Sequence, residues 1–478
     1  MKRTFTRLAC AAIATLPLAC AQAATLTVTS LADAGSGSLR AAVSDANAAP
    51  GHDSIRFQAG LQGTITLTRE ILVTESVSIE GPGPSRLTVA GSNASRLFRL
   101  ARAGGARTTV VLAGLTFANG QASDGGGAIL VEDENLIVRN ALFSGNVAET
   151  RGGAIRHARG DLTLEDVVLL GNHAGAGSSG GAIDFSNSGT LRLLRCVLRE
   201  NTAGYGGALR MGSASRLQVE ESLFMDNDAA YQGGAIEAGP TVASFHIARS
   251  ALVGNSSNQA IAAAIGFAGS DNPGDSPGVI ENTTLSANHT AHSNGRGILA
   301  VKTGTLHLRN STLAFNRTAT GASAAPSEGG AVWVGAATLH IDSSVFAFNT
   351  HGNAGARVDI APSSYSARVL NVSHSLLHTN PGGLINGIDT ANLFDTDARL
   401  HPLTIDAGPG FVPLHPIGLD SPAIDAGSNP ANLATDQRGA GYPRRVDLVP
   451  CRDPQLARSD IGAFEYRTDT IFCHGFQG

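Results

Sequence analysis

The sequence predicts an all-β chain that winds as a right-handed parallel β-helix, a solenoid with three short strands in each coil. An Asn recurs nine times at spacings of 26 to 33 residues, and each is preceded by apolar residues at period two. The composition agrees, because 58 Gly with 15% charged and 5% aromatic residues suit many tight turns around a narrow aliphatic core.

Each repeat places a large apolar side chain three residues before its Asn and, in all but one coil, an apolar pair eight and ten residues before it. In one coil these are Leu169, Leu164 and Leu162, before Asn172. Spacing of two indicates strands, one of the Leu-x-Val type and one that ends at the Phe or Leu. Stacked coils would align the Asn amides into a buried hydrogen-bonded ladder. The predicted ladder is Asn146, Asn172, Asn201, Asn227, Asn255, Asn288, Asn316, Asn349 and Asn380.

A third strand follows the Asn after a variable loop and reads Gly-Gly-Ala plus an aliphatic residue, as at 126–129 and 152–155. Paired glycines permit a positive φ and a close backbone approach. Five residues before the Asn, a column of small side chains that includes Cys196, Ser222 and Ser250 predicts a tight corner. Leucine-rich repeats need a shorter unit and propellers need four strands in some 40 residues, so neither fits.

A solenoid needs caps, because its terminal coils expose apolar edges. Residues 38–47 predict a capping helix with Ser38 as N-cap, whose apolar face is Leu39, Ala42, Val43 and Ala46. The predicted organisation is a signal peptide at 1–23, an N-terminal cap with the first strands at 24–105, repeats at 106–380, a loop-rich C-terminal cap at 381–466 and a tail at 467–478.

The first residues are typical of a secretory signal. Lys2, Arg3 and Arg7 precede an apolar stretch at 8–18, and small residues at 21–23 favour cleavage after Ala23. Lipidation of Cys20 is the alternative. No later apolar run is long enough to span a bilayer, and a net charge of -5 gives no reason to propose a nucleic-acid partner. The expected location is secreted or at the cell surface, associated with the outer membrane of a Gram-negative bacterium.

Three cysteines remain after removal of the leader, in an oxidising compartment. Cys451 with Cys473 is the predicted disulfide. Cys196 belongs to the small-residue corner column, where a buried apolar side chain suffices, so we expect it to stay free.

Three C-terminal motifs carry a family resemblance: SPAIDAG at 421–427, DQRG at 436–439 and DIGAFE at 460–465. They resemble the signature of the choice-of-anchor Q family of exported β-helix proteins. This resemblance implies a β-helix that is followed by a surface-sorting tail. The Phe-x-x-Asn and Gly-Gly-Ala-Ile units resemble repeats of polymorphic outer-membrane proteins and other pectate-lyase-like helices. Segment 27–40 is similar to CSLREA-type openings of surface proteins, although the Cys and Glu of that motif are absent.

The charged residues of these motifs are Asp425, Asp436, Arg438, Asp460 and Glu465. Arginine and carboxylate forks among them would knit the C-terminal cap together. Calcium binding by the same carboxylates is the alternative, and it would need about six converging oxygens.

Alternation sends the aliphatic residue of each Gly-Gly-Ala strand inward and its successor outward. The outward column reads Leu130, Arg156, Asp184, Arg210, Glu237 and later Trp333. A second alternating column, at the corner six residues before the Asn, reads Asp166, Arg195, Glu221 and Arg249. Since alternation avoids like charges in adjacent strands, it serves stacking in general. The first column is therefore interpreted mainly as structural, with a ligand groove as the competing interpretation.

Arg156, Asp184, Arg210 and Glu237 are the candidates for catalysis, if the protein is an enzyme. Asp184 and Glu237 would lie roughly 9.6 Å apart, at the upper limit for an inverting glycosidase pair. Arg210 between them would oppose the raised pKa that a general acid needs. The sequence contains no Gly-His-Gly or Asn-Thr-Asp run of β-helix pectinases and no recognisable nucleophile arrangement, and it predicts no metal site.

The sequence therefore predicts an exported binding or adhesion module for carbohydrate, matrix or a cell-surface partner, and leans against an enzyme. The alternative is a polysaccharide lyase or glycoside hydrolase acting in a groove along the helix. No cofactor is predicted, although a lyase would call for calcium. Trp333, the one tryptophan in the chain, is predicted to face outward and to stack on a sugar. The oligomeric state stays open.

Overall fold

The computed structural model describes residues 23–102, 104, 107–258, 262–269, 276–291, 295–319, 329–352, 355–361, 368–404, 412–445 and 458–467. Over these residues the chain winds as a right-handed parallel β-helix of about eleven coils, which confirms the predicted fold. Residues 1–22 of the expected signal peptide lie outside the described residues, as do Cys451 and Cys473 of the expected disulfide.

Each coil presents four faces, numbered here in chain order. The first face carries the Leu-x-Val strands, and the second carries the strands that end at the Phe or Leu. First-face strands are Thr25–Val28, Asp53–Phe57, Val77–Glu80, Thr109–Ala113, Asn135–Ser144, Leu162–Leu170, Gly189–Leu194, Ser215–Glu220, Ser244–Ala248, Gly278–Glu281, Val369–Ser373 and Asp389–Thr390. Second-face strands are Gly63–Thr66, Leu87–Ala90, Thr116–Ala118, Val197–Arg199, Leu223–Met225, Ala251–Val253, Thr284–Ser286, Thr312–Ala314, Val345–Ala347, Leu376–Leu377 and Leu393–Phe394. Asn135–Ser144 and Leu162–Leu170 continue onto the second face.

The third face is a row of short strands directly after the Asn positions, which the sequence did not predict. These strands are Gln121–Ala122, Val147–Ala148, His173–Ala174, Thr202–Tyr205, Asp228–Gln232, Ser256–Ser257, His289–Thr290, Arg317–Thr318, Thr350–His351 and, antiparallel, Ala356–Arg357. The fourth face carries the Gly-Gly-Ala strands: Ile71–Val73, Phe98–Leu100, Ile129–Val131, Ile155–His157, Ile183–Phe185, Leu209–Met211, Ile236–Val242, Ala262–Gly269 and Ile360–Ala361. Gly297–Arg309 and Val332–Asp342 run from the fourth face onto the first face of the next coil.

The asparagine ladder fills the corner between the second and third faces. Asn227 shows the pattern: its Oδ1 accepts from both the backbone N–H and the Nδ2 of Asn201, at 3.0 and 2.9 Å. Its own Nδ2 donates to the Leu198 carbonyl and to Asn255 Oδ1, both at 2.9 Å. These fully buried amides satisfy corner groups that water does not reach. The pattern runs without a break from Asn146 to Asn349.

The placement of Asn380 in this ladder was wrong, because its side chain is exposed. After Thr350–His351 the chain reverses into the antiparallel strand Ala356–Arg357. This reversal brings Asp359 to the end of the ladder, where its Oδ1 accepts from Asn349 Nδ2 at 3.0 Å. A carboxylate oxygen therefore takes the acceptor role that the next amide would have had.

A second ladder, of hydroxyl groups, lies at the corner between the first and second faces. The backbone N–H of Cys196 donates to Ser222 Oγ at 3.0 Å, and that of Ser222 donates to Ser250 Oγ at 3.1 Å. The series continues coil by coil to Ser375. Cys196 itself is a free, buried thiol, and burial raises its pKa to about 12.

The neighbouring charged column occupies a left-handed backbone corner, with φ of 55° at Asp166 and 51° at Arg195. Arg195 Nε lies 2.7 Å from Asp166 Oδ1, and this hydrogen bond lowers the pKa of Asp166. The equivalent Arg249 contacts Glu221 at 3.3 Å. Alternating charges therefore pair between coils at this corner.

The N-terminal end is closed by the helix Leu39–Ala48. Ser38 is its N-cap, accepting from the backbone N–H of Ala41 at 3.2 Å. The four residues of the predicted apolar face are buried in the solenoid core. Among the described residues, no helix has the length and apolar character needed to cross a membrane.

The C-terminal segment, 412–445 with 458–467, does more than close the end of the helix. It runs back along the second face of five coils, from Ala251–Val253 to Leu376–Leu377. Gln437 Oε1 accepts from Thr284 Oγ1 at 2.6 Å, and the Ala463 N–H donates to Thr312 Oγ1 at 3.1 Å. The outward side chains of these strands are small or apolar, and the buried hydroxyl groups of Thr284, Ser286 and Thr312 each have a hydrogen-bond partner in the covering segment.

The three C-terminal motifs meet in one buried charge cluster. Arg438 Nη2 lies 2.5 Å from Asp436 Oδ2 and also donates to the Glu465 carbonyl at 2.7 Å. The Asp460 carboxylate accepts from the Asp425 N–H at 2.9 Å and from the Tyr466 N–H. Burial raises the pKa of Asp460 to about 6 and that of Glu465 to about 9. This network is the cap that the arginine–carboxylate interpretation predicted.

Sequence reasoning did not single out Arg444, which lies fully buried at the centre of this cluster. Its Nη2 donates to the Asp460 carbonyl at 3.0 Å and to the Gly462 carbonyl. Its Nε lies 3.8 Å from Glu465 Oε2. Arg444 is thus a second cation among the carboxylates of the cap.

His157 is a polar side chain inside the apolar core. It points inward from Ile155–His157, is fully buried and stacks on Phe185 with ring centroids 5.1 Å apart. Neither ring nitrogen has a hydrogen-bond partner of ordinary geometry. Burial lowers the pKa of His157 to about 4, and a weaker interaction with the Asp161 backbone opposes that shift.

Replacing His157 by Leu is expected to raise the free energy of unfolding by about 1–3 kcal/mol, because two unsatisfied buried polar atoms disappear. The folded-state pKa lies below the ordinary value of 6.5, so the native chain loses stability as pH falls from 6.5 towards 4. The gain should therefore be larger at pH 5 than at pH 8. Urea unfolding at both values tests this, with the exposed His289→Leu as control; an equal gain in both variants would contradict it.

Candidate functional site

The strand register places the four predicted catalytic candidates in one column on the fourth face. Arg156 pairs with Asp184, Asp184 with Arg210, and Arg210 with Glu237 in successive coils. The column continues below them through Leu130 and Arg99 to Leu72. Above them it continues through Gly266 and Ala300 to Trp333 and Ala361. The basic and acidic residues that alternate from repeat to repeat in the sequence therefore also alternate along the column in the structure.

The column is more enclosed than an outward position suggested, because the loops before the Gly-Gly pairs fold over it. Asp184 is fully buried. Its Oδ2 accepts from Ser179 Oγ at 3.1 Å, and its Oδ1 accepts from Ser186 Oγ. The guanidinium group of Arg156, one coil below, donates a hydrogen bond to the Asp124 carbonyl at 2.5 Å. Both residues are therefore held in place by the protein itself.

Arg210 differs from its neighbours in the column. Its side chain is 28% exposed, and its Nη1 lies 3.8 Å from Asp184 Oδ2. Within the described part of the chain, its guanidinium group forms no hydrogen bond. A guanidinium carries five N–H donors in a fixed fork. Arg210 therefore has donors to spare for a ligand.

Glu237 forms an ion pair that sequence reasoning missed. Lys302 Nζ donates to its Oε1 at 2.6 Å, whereas its buried Oε2 has no hydrogen-bond partner. Burial raises the pKa of Glu237, and Lys302 and Arg210 oppose that shift. Arg210 opposes the rise in this pKa, as expected from the sequence, but desolvation outweighs both cations.

Two sequence signals could have revealed this pair. Lys302 and Lys2 are the only lysines in the chain, which otherwise uses arginine as its strong cation. Gly266, between the coils of Glu237 and Lys302, has no side chain, and a Cβ there would lie 2.0 Å from Glu237 Oε2. The register also shifts beside Lys302, between the pairs of Phe267 and Ala268. Because of that irregularity, counting alternate residues along the strand did not identify Lys302 as a neighbour of Glu237.

An open cleft of about 490 Å³ lies over this column. Its lining includes Arg151, which precedes one Gly-Gly pair, and Tyr205, which precedes another. Arg210 and Glu237 form its floor. The Tyr205 ring is 37% exposed and packs at 5.0 Å between centroids on Tyr231 of the next coil. An exposed aromatic face thus lies in the same cleft as two arginines.

A larger cleft of about 620 Å³ lies nearer the N-terminus, between Glu70, Arg96 and Asp124. Its main cation, Arg96, is 8% exposed and pairs with Glu70 at 2.7 Å and with Asp124. Arg96 is therefore satisfied by its own neighbours, in contrast to Arg210.

The prediction that Trp333 faces outward as a sugar-binding ring was wrong, because its side chain is only 4% exposed. It does leave the strand on the outer side, but it then packs against Ala262, Ala300 and Ala361. Arg296 lies over the ring at 5.3 Å from its centroid. Small residues in the adjacent coils make room for the indole. Its ring therefore packs against the protein and is not exposed to stack on a sugar.

The described residues contain no group of three or more His, Cys, Asp or Glu side chains arranged to hold a metal ion. The cleft therefore offers cations, hydroxyl groups and an aromatic face. These groups can bind anionic and hydroxyl-rich ligands.

No family model matches the sequence, and no curated protein matches it. Several solved structures are similar to it. The alginate lyase AlyF-OU02 is 11% identical, with 83% of this chain and 91% of that chain covered and a TM-score of 0.42. A PL6 alginate lyase in complex with a trisaccharide is 9% identical, with 82% and 91% covered and a TM-score of 0.38.

The A-module of mannuronan C-5 epimerase AlgE6 from Azotobacter vinelandii is 11% identical, with 72% of this chain and 99% of that chain covered and a TM-score of 0.30. At such identities the likeness concerns the fold alone. What this chain binds must be argued from its own residues.

Proposed function

We propose that this chain is a binding module for acidic carbohydrate, which it holds in the cleft at Arg210. The observation that carries the proposal is the half-buried Arg210 guanidinium, which lines an open cleft and has no hydrogen-bond acceptor among the described residues. A carboxylate or sulfate group on a sugar would satisfy its fork. Tyr205 would pack against the apolar face of a neighbouring ring.

The charge balance of the site favours an anion. Arg151, Arg210 and Lys302 provide three cations against the carboxyl groups of Asp184 and Glu237. Glu237 also has a raised pKa, so its share of the negative charge is reduced. Asp184 is buried beneath its serine partners. The exposed part of the site is therefore positive.

Replacing Arg210 by Ala is expected to weaken binding of an acidic polysaccharide about ten- to a hundredfold, the loss of a charged hydrogen-bonding contact. Tyr205→Ala should weaken it about tenfold. Arg216→Ala, an exposed arginine on the first face, is the control and should change binding less than twofold. Binding of polygalacturonate, alginate and neutral dextran by isothermal calorimetry provides the measurement. Equal affinity for dextran and the acidic polymers would contradict the proposal.

A polysaccharide lyase or glycoside hydrolase is the second candidate, favoured by the raised pKa of Glu237 in the cleft floor. Against it, the Oε2 atom, which has no partner among the described residues, is buried beside Gly266. The test is incubation with the same polymers, with calcium or with chelator. Unsaturated products would indicate a lyase, and new reducing ends alone a hydrolase. Turnover lost in Glu237→Gln would replace the binding proposal.

The proposed setting is secretion or display at the cell surface, as in the choice-of-anchor Q proteins that the C-terminal motifs resemble. Support comes from the way the three motifs join in one buried network. Fractionation of a Gram-negative host expressing the full chain tests the location.

A further inference from the structure

Asp53 is a buried carboxylate with an incomplete set of partners. It opens the strand Asp53–Phe57 at an inward position beside Val77, and its side chain is fully buried. Oδ1 accepts from the backbone N–H of Ala24 at 2.7 Å, but the buried Oδ2 has no hydrogen-bond partner. In the described part of the chain, no Lys, Arg or His forms an ion pair with it. A buried carboxylate with one neutral donor is costly.

The one donor that reaches Asp53 comes from a special position. Ala24 is the residue that directly follows the cleavage site expected from the leader at 1–23. Its carbonyl also accepts from the Ser54 N–H at 2.8 Å, so its backbone is held on both sides. Cleavage would leave the Ala24 nitrogen where it is and change its chemistry.

Hydrolysis of the Ala23–Ala24 bond adds the hydroxyl of water to the Ala23 carbonyl and a proton to the Ala24 nitrogen. That amine takes up a further proton, because an α-amino group has an ordinary pKa of about 7.7–8.0. One neutral N–H thereby becomes an ammonium group with three N–H donors. It can satisfy Oδ2 as well as Oδ1, and it supplies the missing positive charge.

We propose that a signal peptidase cleaves this chain after Ala23 and that the new α-ammonium group of Ala24 locks the first strand onto the solenoid through Asp53. Thr25–Val28 is the terminal strand, paired in the described structure with Asp53–Phe57. Terminal strands of a solenoid open most readily, because they have a neighbour on one side only. Processing therefore stabilises the weak end of the helix.

The test uses the full chain, exported and purified from the periplasm or medium of a Gram-negative host. Intact mass and N-terminal sequencing should show a chain that begins at Ala24. One variant carries a single Gly inserted between Ala23 and Ala24, so that cleavage still follows Ala23 but the Ala24 nitrogen is an amide. A second is Asp53→Asn, and a third combines both changes. Asp45→Asn, on the exposed side of the capping helix, is the control.

Hydrogen exchange of the Thr25–Val28 amides is the readout. Each single change is expected to lower protection about ten- to a hundredfold at pH 7, and the combined variant should lose little more, because both remove the same pair. The difference in protection between the insertion variant and the unchanged mature chain should become smaller towards pH 10, where the Ala24 ammonium group of the unchanged chain loses its proton.

Two results would overturn the inference. A mature chain that starts elsewhere, such as at a lipidated Cys20, would remove the ammonium group from Asp53. An insertion that leaves protection unchanged, with Asp53→Asn equally harmful in both backgrounds, would make Asp53 a plain backbone acceptor. The inference rests on the proposed export, but the two can be tested separately. Cell fractionation measures export, and hydrogen exchange of Thr25–Val28 measures whether the Ala24 ammonium group pairs with Asp53.

Discussion

Replacing Arg444 by Met is expected to destabilise the C-terminal segment by about 3–5 kcal/mol, the usual cost of removing one member of a buried charge cluster. Arg444 is fully buried and contacts the carbonyls of Asp460 and Gly462 as well as Glu465. Without it, Arg438 is the cation that pairs with a buried carboxyl group of the cap within the described residues. The segment that covers the second face of five coils would then detach at lower denaturant concentration.

Protease resistance and hydrogen exchange of residues 412–467 measure this effect. The adjacent Arg445 is exposed, so Arg445→Met is a matched control and should change stability by less than about 0.5 kcal/mol. If the two variants behave alike, the cluster does not hold the segment in place. Equal destabilisation of the central coils would also count against a local role.

Replacing Asn227 by Ala is expected to cost at least about 3 kcal/mol, because it leaves several buried groups without partners at about 1–3 kcal/mol each. The orphaned groups are the backbone N–H and Nδ2 of Asn201 and the Leu198 carbonyl. Asn227→Asp should cost at least as much, because its second carboxylate oxygen would be buried facing the Leu198 carbonyl and Asn255 Oδ1, which the amide now donates to.

Asn380→Ala is the control, because Asn380 has the same sequence pattern but lies exposed beyond the ladder. It should change the free energy of unfolding by less than about 1 kcal/mol. Urea denaturation followed by circular dichroism gives both values. Similar losses at positions 227 and 380 would mean that the ladder adds nothing to an ordinary corner contact.

The coil itself was predictable, because its determinants are local and repeated. The residues three, eight and ten before each Asn face the core in nearly every coil, and period two in the sequence is period two in a strand. Repetition also made the columns predictable, since parallel stacking puts like positions one above another. Arg156, Asp184, Arg210 and Glu237 therefore lie in one column.

Exposure was not predictable in the same way, because it depends on what covers a face. Trp333 and Asp184 are both outward positions, yet neighbouring coils and loops bury them. The partner of Glu237, Lys302, lies two coils and 65 residues away beside a shift in register. The C-terminal segment covers the second face through contacts that span up to 153 residues.

The solenoid, its N-terminal cap and the columns follow directly from the sequence, because each arises from side-chain periodicity within about 30 residues. Tertiary packing instead sets which column opens into a cleft, where the asparagine ladder stops and that Arg210 has no hydrogen-bond acceptor among the described residues. Those features depend on loops, chain reversals and long-range packing, which leave no periodic pattern in the sequence. The binding proposal at Arg210 and the lock at Asp53 both rest on that second class of feature.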